Sequence, residues 1–355
     1  MKSLSRILSL VLLAALCLCL CACGGQKSAA GSSGNPATTT ENESAPALPP
    51  TNPPEEKESA PVYGLVGPTG VGLADLMRRN DDGTAALDYT VNLASAPEEI
   101  VGKVTSGEAD FAALPTNLAA TLYQKTSGKV QVIALGTGCV LYVVENGNTI
   151  HSVADLKGKT VFSSGEGANP EYILRYLLSE NGIDPDRDLT LNFVAENDEL
   201  AAALVKGSTS VALVPEPLCS TVLAKNPALR VALSVGDEWV KTKNNAEPYM
   251  GCIVINKQFA VDFPDKVEAF LSDYRVSVET ANTDTKTVAA LCEKYGIIGS
   301  AAVAETALPR CALTLVTGSD MKNALDPFLS VLFAANPKTV GGKLPAEDFY
   351  YEGFH

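Results

Sequence analysis

A twelve-residue segment recurs 100 positions further on without a gap: 107–118 reads GEADFAALPTNL and 207–218 reads GSTSVALVPEPL. Each copy reads as a helix end at Gly, a buried strand, a Pro-marked turn and a helix, followed by another apolar strand at 130–135 or 230–234. A supersecondary unit repeated at that separation predicts two lobes built on one plan. Between Gly- and Pro-punctuated βαβ units, fortuitous resemblance is the competing account. Short apolar runs alternate with amphipathic helical patterns throughout, which predicts α/β layers with mixed, mostly parallel sheets flanked by helices. Strands are expected at 63–66, 89–93, 111–114, 130–135 and 140–144, then at 160–163, 189–194, 211–214 and 230–234, and finally at 249–255. If 140–144 carries the chain out of the first lobe and 249–255 carries it back, lobe one spans 61–147 plus 249–355 and lobe two spans 148–248. Two crossing segments then form a hinge. Helices from Phe263 onward are expected to complete lobe one.

The N-terminus is organised differently. A basic start (Lys2, Arg6), an apolar run from Ile7 to Leu20 and then small residues form an export leader over 1–22. Its closing LCACGG resembles the bacterial lipobox, which makes Cys23 the expected carrier of a diacylglycerol and hence the membrane anchor. An ordinary secretory leader or an apolar anchor helix is the alternative. Residues 23–60 are Ser, Ala, Gly, Thr, Asn, Pro and Glu without apolar periodicity, and predict a disordered spacer. The remainder is long enough for two lobes. A net charge of −14 argues against nucleic acid as a partner. Four of the nine cysteines fall in or at the end of the leader, and Cys139, Cys219, Cys252, Cys292 and Cys311 are widely spaced without C-x-x-C. With only His151 and His355 besides, these five read as buried apolar fillers, and neither metal nor cofactor is expected.

Several segments carry a family resemblance: 107–115 (GEADFAALP), 155–161 (DLKGKTV), the helix 169–178 (NPEYILRYLL), Glu216-Pro217 after an aliphatic strand, and 263–271 (FPDKVEAFL). Together they resemble the type II periplasmic-binding-protein fold, within the group of importer receptors for nitrate, sulfonates, taurine and thiamine-type pyrimidines. The resemblance implies a two-lobed, two-segment-hinge protein that works as a monomer, binds a small-molecule solute in its cleft and serves an ABC permease and ATPase on the outer face of the cell membrane.

Ligands of open α/β sheets lie beyond the carboxyl ends of the strands. Four loops meet that condition. After the first strand come Thr69, Gly70 and Val71, where glycine admits a close backbone approach or else serves a purely structural tight turn. Thr116 and Asn117 follow the 111–114 strand, where they cap the next helix or face the cleft, and Thr137 ends the next strand. The glycine-rich stretch with Ser164, Gly165, Glu166 and Asn169 delivers a helix N-terminus, which favours an anion, although Glu166 favours a cationic or donor group and so leaves the solute's charge open. Glu216 is the counterpart of Thr116, and reads equally as a solvated loop residue. Tyr249 and Met250, at the hinge, offer an aromatic ring for a flat ligand or else core packing, and Trp239 reads as a loop anchor or else a rim residue. The expected function is capture without chemistry of a sulfonate-, pyrimidine- or vitamin-precursor-like solute. The alternatives are a ligand-sensing receptor lobe and a thiamine-pyrimidine synthase-like enzyme, and no histidine lies in any of these loops to act as a general base.

Overall fold

The recurrence at 107 and 207 is a helix stop: Gly107 (φ 76°) and Gly207 (φ 72°) both sit in the left-handed region at the ends of ten-residue helices, a conformation that side chains with a Cβ resist. The computed structural model describes residues 57–353. The leader 1–22, Cys23, nearly all of the expected spacer and His355 lie outside the described residues.

In chain order the elements are β1 (Ser59–Leu65), α1 (Pro68–Val71), α2 (Ala74–Asp81), β2 (Asp88–Ala94), α3 (Pro97–Ser106), β3 (Phe111–Pro115), α4 (Thr116–Lys125), β4 (Val130–Thr137), β5 (Leu141–Asn146), β6 (Thr160–Ser164), α5 (Asn169–Glu180), β7 (Thr190–Val194), α6 (Asn197–Lys206), β8 (Val211–Pro215), α7 (Leu218–Lys225), β9 (Leu229–Ser234) and α8 (Val235–Trp239). After these come β10 (Gly251–Asn256), α9 (Lys257–Asp262), α10 (Pro264–Thr283), α11 (Thr285–Lys294), α12 (Ala301–Ala307), β11 (Leu313–Val316) and α13 (Ser319–Ala335).

The first sheet runs β11-β4-β10-β3-β1-β2 and the second β7-β6-β8-β5-β9. Taken from its other edge, the second repeats the order β4-β10-β3-β1-β2 of the first, with β5 in the place of β10. In both sheets one half is parallel (β2-β1-β3 and β7-β6-β8). The inserted strand runs antiparallel to both neighbours, so the sheets are mixed, with β1, β2, β3 and β4 pointing one way in the first and β6, β7, β8 and β9 in the second.

That insertion moves a boundary. Residues 141–146, expected in the first lobe up to 147, belong to the second sheet, because β5 pairs with β8 and β9. The chain therefore leaves the first sheet after Thr137. At the other end, β1 starts at Ser59, inside the expected spacer, because Ser59 already pairs with Asp88 of β2. β11 stands where only helices were expected. α13 packs on both α4 and α5, and α12 packs on α7, so the C-terminal helices touch both lobes.

β3 and β8 are buried on both faces, as strands covered by helices must be. Phe111 of β3 stacks on Phe270 of α10 at 4.0 Å, and burying such a side chain contributes roughly 1.5–3 kcal/mol. Trp239, at the end of α8, is fully buried rather than at the rim, and lies between Tyr176 of α5 (4.4 Å) and Phe328 of α13 (5.9 Å). The cysteines at 139, 219, 252, 292 and 311 are all unpaired and buried. Burial pushes the thiols of Cys139, Cys219 and Cys292 up to about 12, which makes them inert packing groups at neutral pH. Among the described residues no helix is long and apolar enough to cross a membrane, and no His, Cys, Asp or Glu cluster fits a metal ion.

Candidate functional site

Four strands hand the chain to helices at one rim. β2 ends at Ala94 and α3 opens at Pro97, β3 runs straight into α4 at Thr116, β6 leads to α5 at Asn169, and β7 leads to α6 at Asn197. The first turns of these helices line a cavity of about 490 Å³ between the lobes. Helix first turns carry backbone N–H groups without intrahelical partners and a positive end of the helix dipole. Among the described residues, no Lys, Arg, His or aromatic residue lines this cavity.

Of the residues singled out by sequence, Thr69, Asn117, Thr137, Asn169, Glu216 and Met250 meet in its wall. Asn169 Nδ2 donates to Asn117 Oδ1 at 2.9 Å, a bond from the second lobe to the first. Asn169 is 8% exposed, and its own Oδ1 has no hydrogen-bond partner, an acceptor that a bound molecule's donor would satisfy. Glu216 is buried in an ion pair with Arg310 (Nε to Oε1, 2.5 Å) and accepts from Ser220 Oγ at 3.0 Å and Ser220 N–H at 3.1 Å. A solvated loop residue it is not.

The other candidates stand elsewhere. A Cβ on Gly70 would come within 2.2 Å of the Leu65 carbonyl oxygen, so glycine there lets the chain turn tightly out of β1. Val71 is buried in the core that α10 covers. Thr116 is fully buried, its hydroxyl donating to the Tyr249 carbonyl at 2.8 Å, and it pins α4 to the returning chain. Ser164 donates to Asn197 Oδ1 at 2.6 Å. Gly165 takes a left-handed φ of 79° beside Pro170, and Glu166 is exposed outside the cavity wall. Tyr249 lines a separate cavity behind the hinge.

The family model described as "ABC transporter, phosphonate, periplasmic substrate-binding protein" matches residues 83–302. The chain belongs to this family. Solved structures share its fold. An ABC transporter protein from Parabacteroides distasonis is 24% identical with a TM-score of 0.68, over 83% of this chain and 99% of that one. The periplasmic aliphatic sulphonate-binding protein SsuA from Escherichia coli is 16% identical with a TM-score of 0.63, over 80% and 96% of the two chains. The ligand-binding component of an ABC-type import system from Staphylococcus aureus is 15% identical with a TM-score of 0.60, over 83% and 97%. None of the curated proteins searched matches the chain.

In this substrate-binding protein the wall also holds Pro97, Pro170 and Asn197, which the sequence reading passed over. Pro97 and Asn197 each open their helix, and they too are 100 positions apart. Carrying the repeat ten residues further back would have found both.

Behind the cleft, the two crossings between sheets touch. Glu247 on the returning segment accepts from the Cys139 N–H of the outgoing one at 2.9 Å. Burial, and secondarily the charge of Asp237, raises the Glu247 carboxyl above its ordinary value. A carboxyl whose folded value is raised contributes stability below the unfolded pKa and loses it as pH climbs through the folded one. Glu247→Gln, which keeps an acceptor for Cys139, should therefore raise the melting temperature at pH 7 and leave it nearly unchanged at pH 4. A difference that does not grow with pH in a thermal scan would contradict this account.

Proposed function

We propose that this family member captures a small organic anion, phosphonate- or sulfonate-like, between its lobes and passes it to an ABC permease and ATPase, held on the outer face of the cell membrane through a diacylglycerol on Cys23. The observation that carries the reading is the convergence of the α3, α4, α5 and α6 N-termini on one interlobe cavity. Such ends stabilise negative charge without a cationic side chain. Glu166, the residue that favoured a cationic solute, is exposed outside the wall, and the charge of Glu216 is met by Arg310. The absence of aromatic rings from the wall speaks against a flat pyrimidine, which needs a stacking face.

The same lining supports binding without chemistry: its polar side chains are threonines, asparagines and one ion-paired carboxylate. A solute touching both lobes favours the closed arrangement by those contacts alone. The test is a thermal-shift series on the full chain in detergent with ethylphosphonate, ethanesulfonate, a thiamine-type pyrimidine and ethylammonium. At a hundred times its dissociation constant a native-state ligand adds about 2.7 kcal/mol, so either anion should raise the melting temperature by several degrees. Stabilisation by the amine or pyrimidine and by neither anion would refute the reading.

A further inference from the structure

Arg310 lies outside the cleft wall. It lines the cavity behind the hinge, which measures about 480 Å³, together with Cys139, Glu247 and Tyr249. From there its guanidinium reaches from the segment before β11, in the first sheet, to Glu216 after β8, in the second. Nε meets Glu216 Oε1 at 2.5 Å and Nη2 donates to Ser220 Oγ at 2.7 Å. Ser220 in turn gives both its hydroxyl and its N–H to the same carboxylate. Tyr142 holds the arginine from the other side by donating its hydroxyl to the Arg310 carbonyl at 3.0 Å. Glu216 therefore stands in the cleft wall while its carboxylate, on a side chain that is 0% exposed, lies just behind that wall on the guanidinium and Ser220.

We propose that Arg310, without touching the solute, sets the charge class the cleft accepts, by neutralising Glu216 from behind. This rests on the anion reading given above. A carboxylate shielded from water and left uncompensated in the wall would act on a bound anion through a medium far less polarisable than water. Across several ångströms, like unit charges under such conditions change binding by about a hundredfold. With the guanidinium in place the pair is neutral and no longer opposes the helix N-termini. The arginine is thus a positioning residue for charge, and the carboxylate a switch point. Removing the positive partner should turn the cleft against anions, and removing the negative partner should turn it further toward them.

Two substitutions that break one ion pair are thereby expected to move anion affinity in opposite directions, which a purely structural clasp between the lobes would not do. The measurement is calorimetric titration of the full chain in detergent with ethylphosphonate and ethanesulfonate, for wild type, Glu216→Gln, Arg310→Gln and the double variant. The expected result is anion affinity about tenfold tighter in Glu216→Gln, about a hundredfold weaker in Arg310→Gln, and within about threefold of wild type in the double variant. Because Arg310→Gln strands a buried charge and can lose its fold, Glu216→Gln and the double variant decide the question without it. Weaker anion binding in Glu216→Gln, or a double variant as weak as the worse single one, would overturn the proposal while leaving the anion reading intact. A wild type that binds neither anion would overturn both, and that outcome is visible in the wild-type arm alone.

Discussion

Trp239→Ala is expected to lower the stability of the folded part by about 3–5 kcal/mol, the range for deleting a fully buried large aromatic side chain. The ring fills the junction where α5 and α8 of the second lobe meet α13, with Tyr176 on one side and Phe328 on the other. In a scanning calorimeter the loss should show as a drop in melting temperature on the order of 10 °C. Trp239→Phe sharpens the test. The indole N–H is buried with no hydrogen-bond partner, so a phenyl ring keeps much of the packing and sheds an unsatisfied donor. It should cost less than half as much. Equal losses from the two variants would mean that ring volume is not what the site requires.

Asn169→Leu should do the reverse, sparing stability and removing function. The change leaves size nearly constant, and it deletes both the bond to Asn117 and the acceptor that has no partner within the protein. An unsatisfied buried polar atom costs stability, and replacing it with an apolar group of similar shape is close to neutral. The unliganded melting temperature should accordingly stay within about 2 °C of wild type, since the effect on stability is small. Binding is another matter. A monoanionic phosphonate loses the acceptor for its P–OH in a site shielded from water, and closure loses one link between lobes. Together these should weaken affinity by about tenfold to a hundredfold. An unchanged dissociation constant for ethylphosphonate would remove Asn169 from the binding surface.

Much of the architecture was readable because it is repeated. Gly107 and Gly207, Pro115 and Pro215, and the buried strands between them mark the same unit twice, and local conformation at those residues leaves little choice. Membership of a sheet was less readable. β5, with the residues LYVVEN, is apolar enough to serve in either sheet, and only its two antiparallel partners decide the matter. β11 is four residues long and sits among helices, below the length at which alternation can be detected. At the site, loops after strands were identifiable as a class, whereas the side chain in each loop that faces the cavity was not. Thr116 and Asn117 are neighbours, yet one is sealed under the Tyr249 carbonyl and the other meets Asn169. Glu216 could not be told from a solvated glutamate because its partner, Arg310, is 94 residues away.

The exchange of central strands has a consequence for the order in which the molecule assembles. Every strand of the second sheet comes from one uninterrupted stretch, 141–234, whereas β3 and β4 of the first are held apart by β10, which begins at Gly251. A polypeptide crossing a membrane N-terminus first would complete its later half-protein before its earlier one. Until residue 256 has emerged, β3 and β4 present two bare edges in the middle of an unfinished sheet, and such edges invite pairing with other chains.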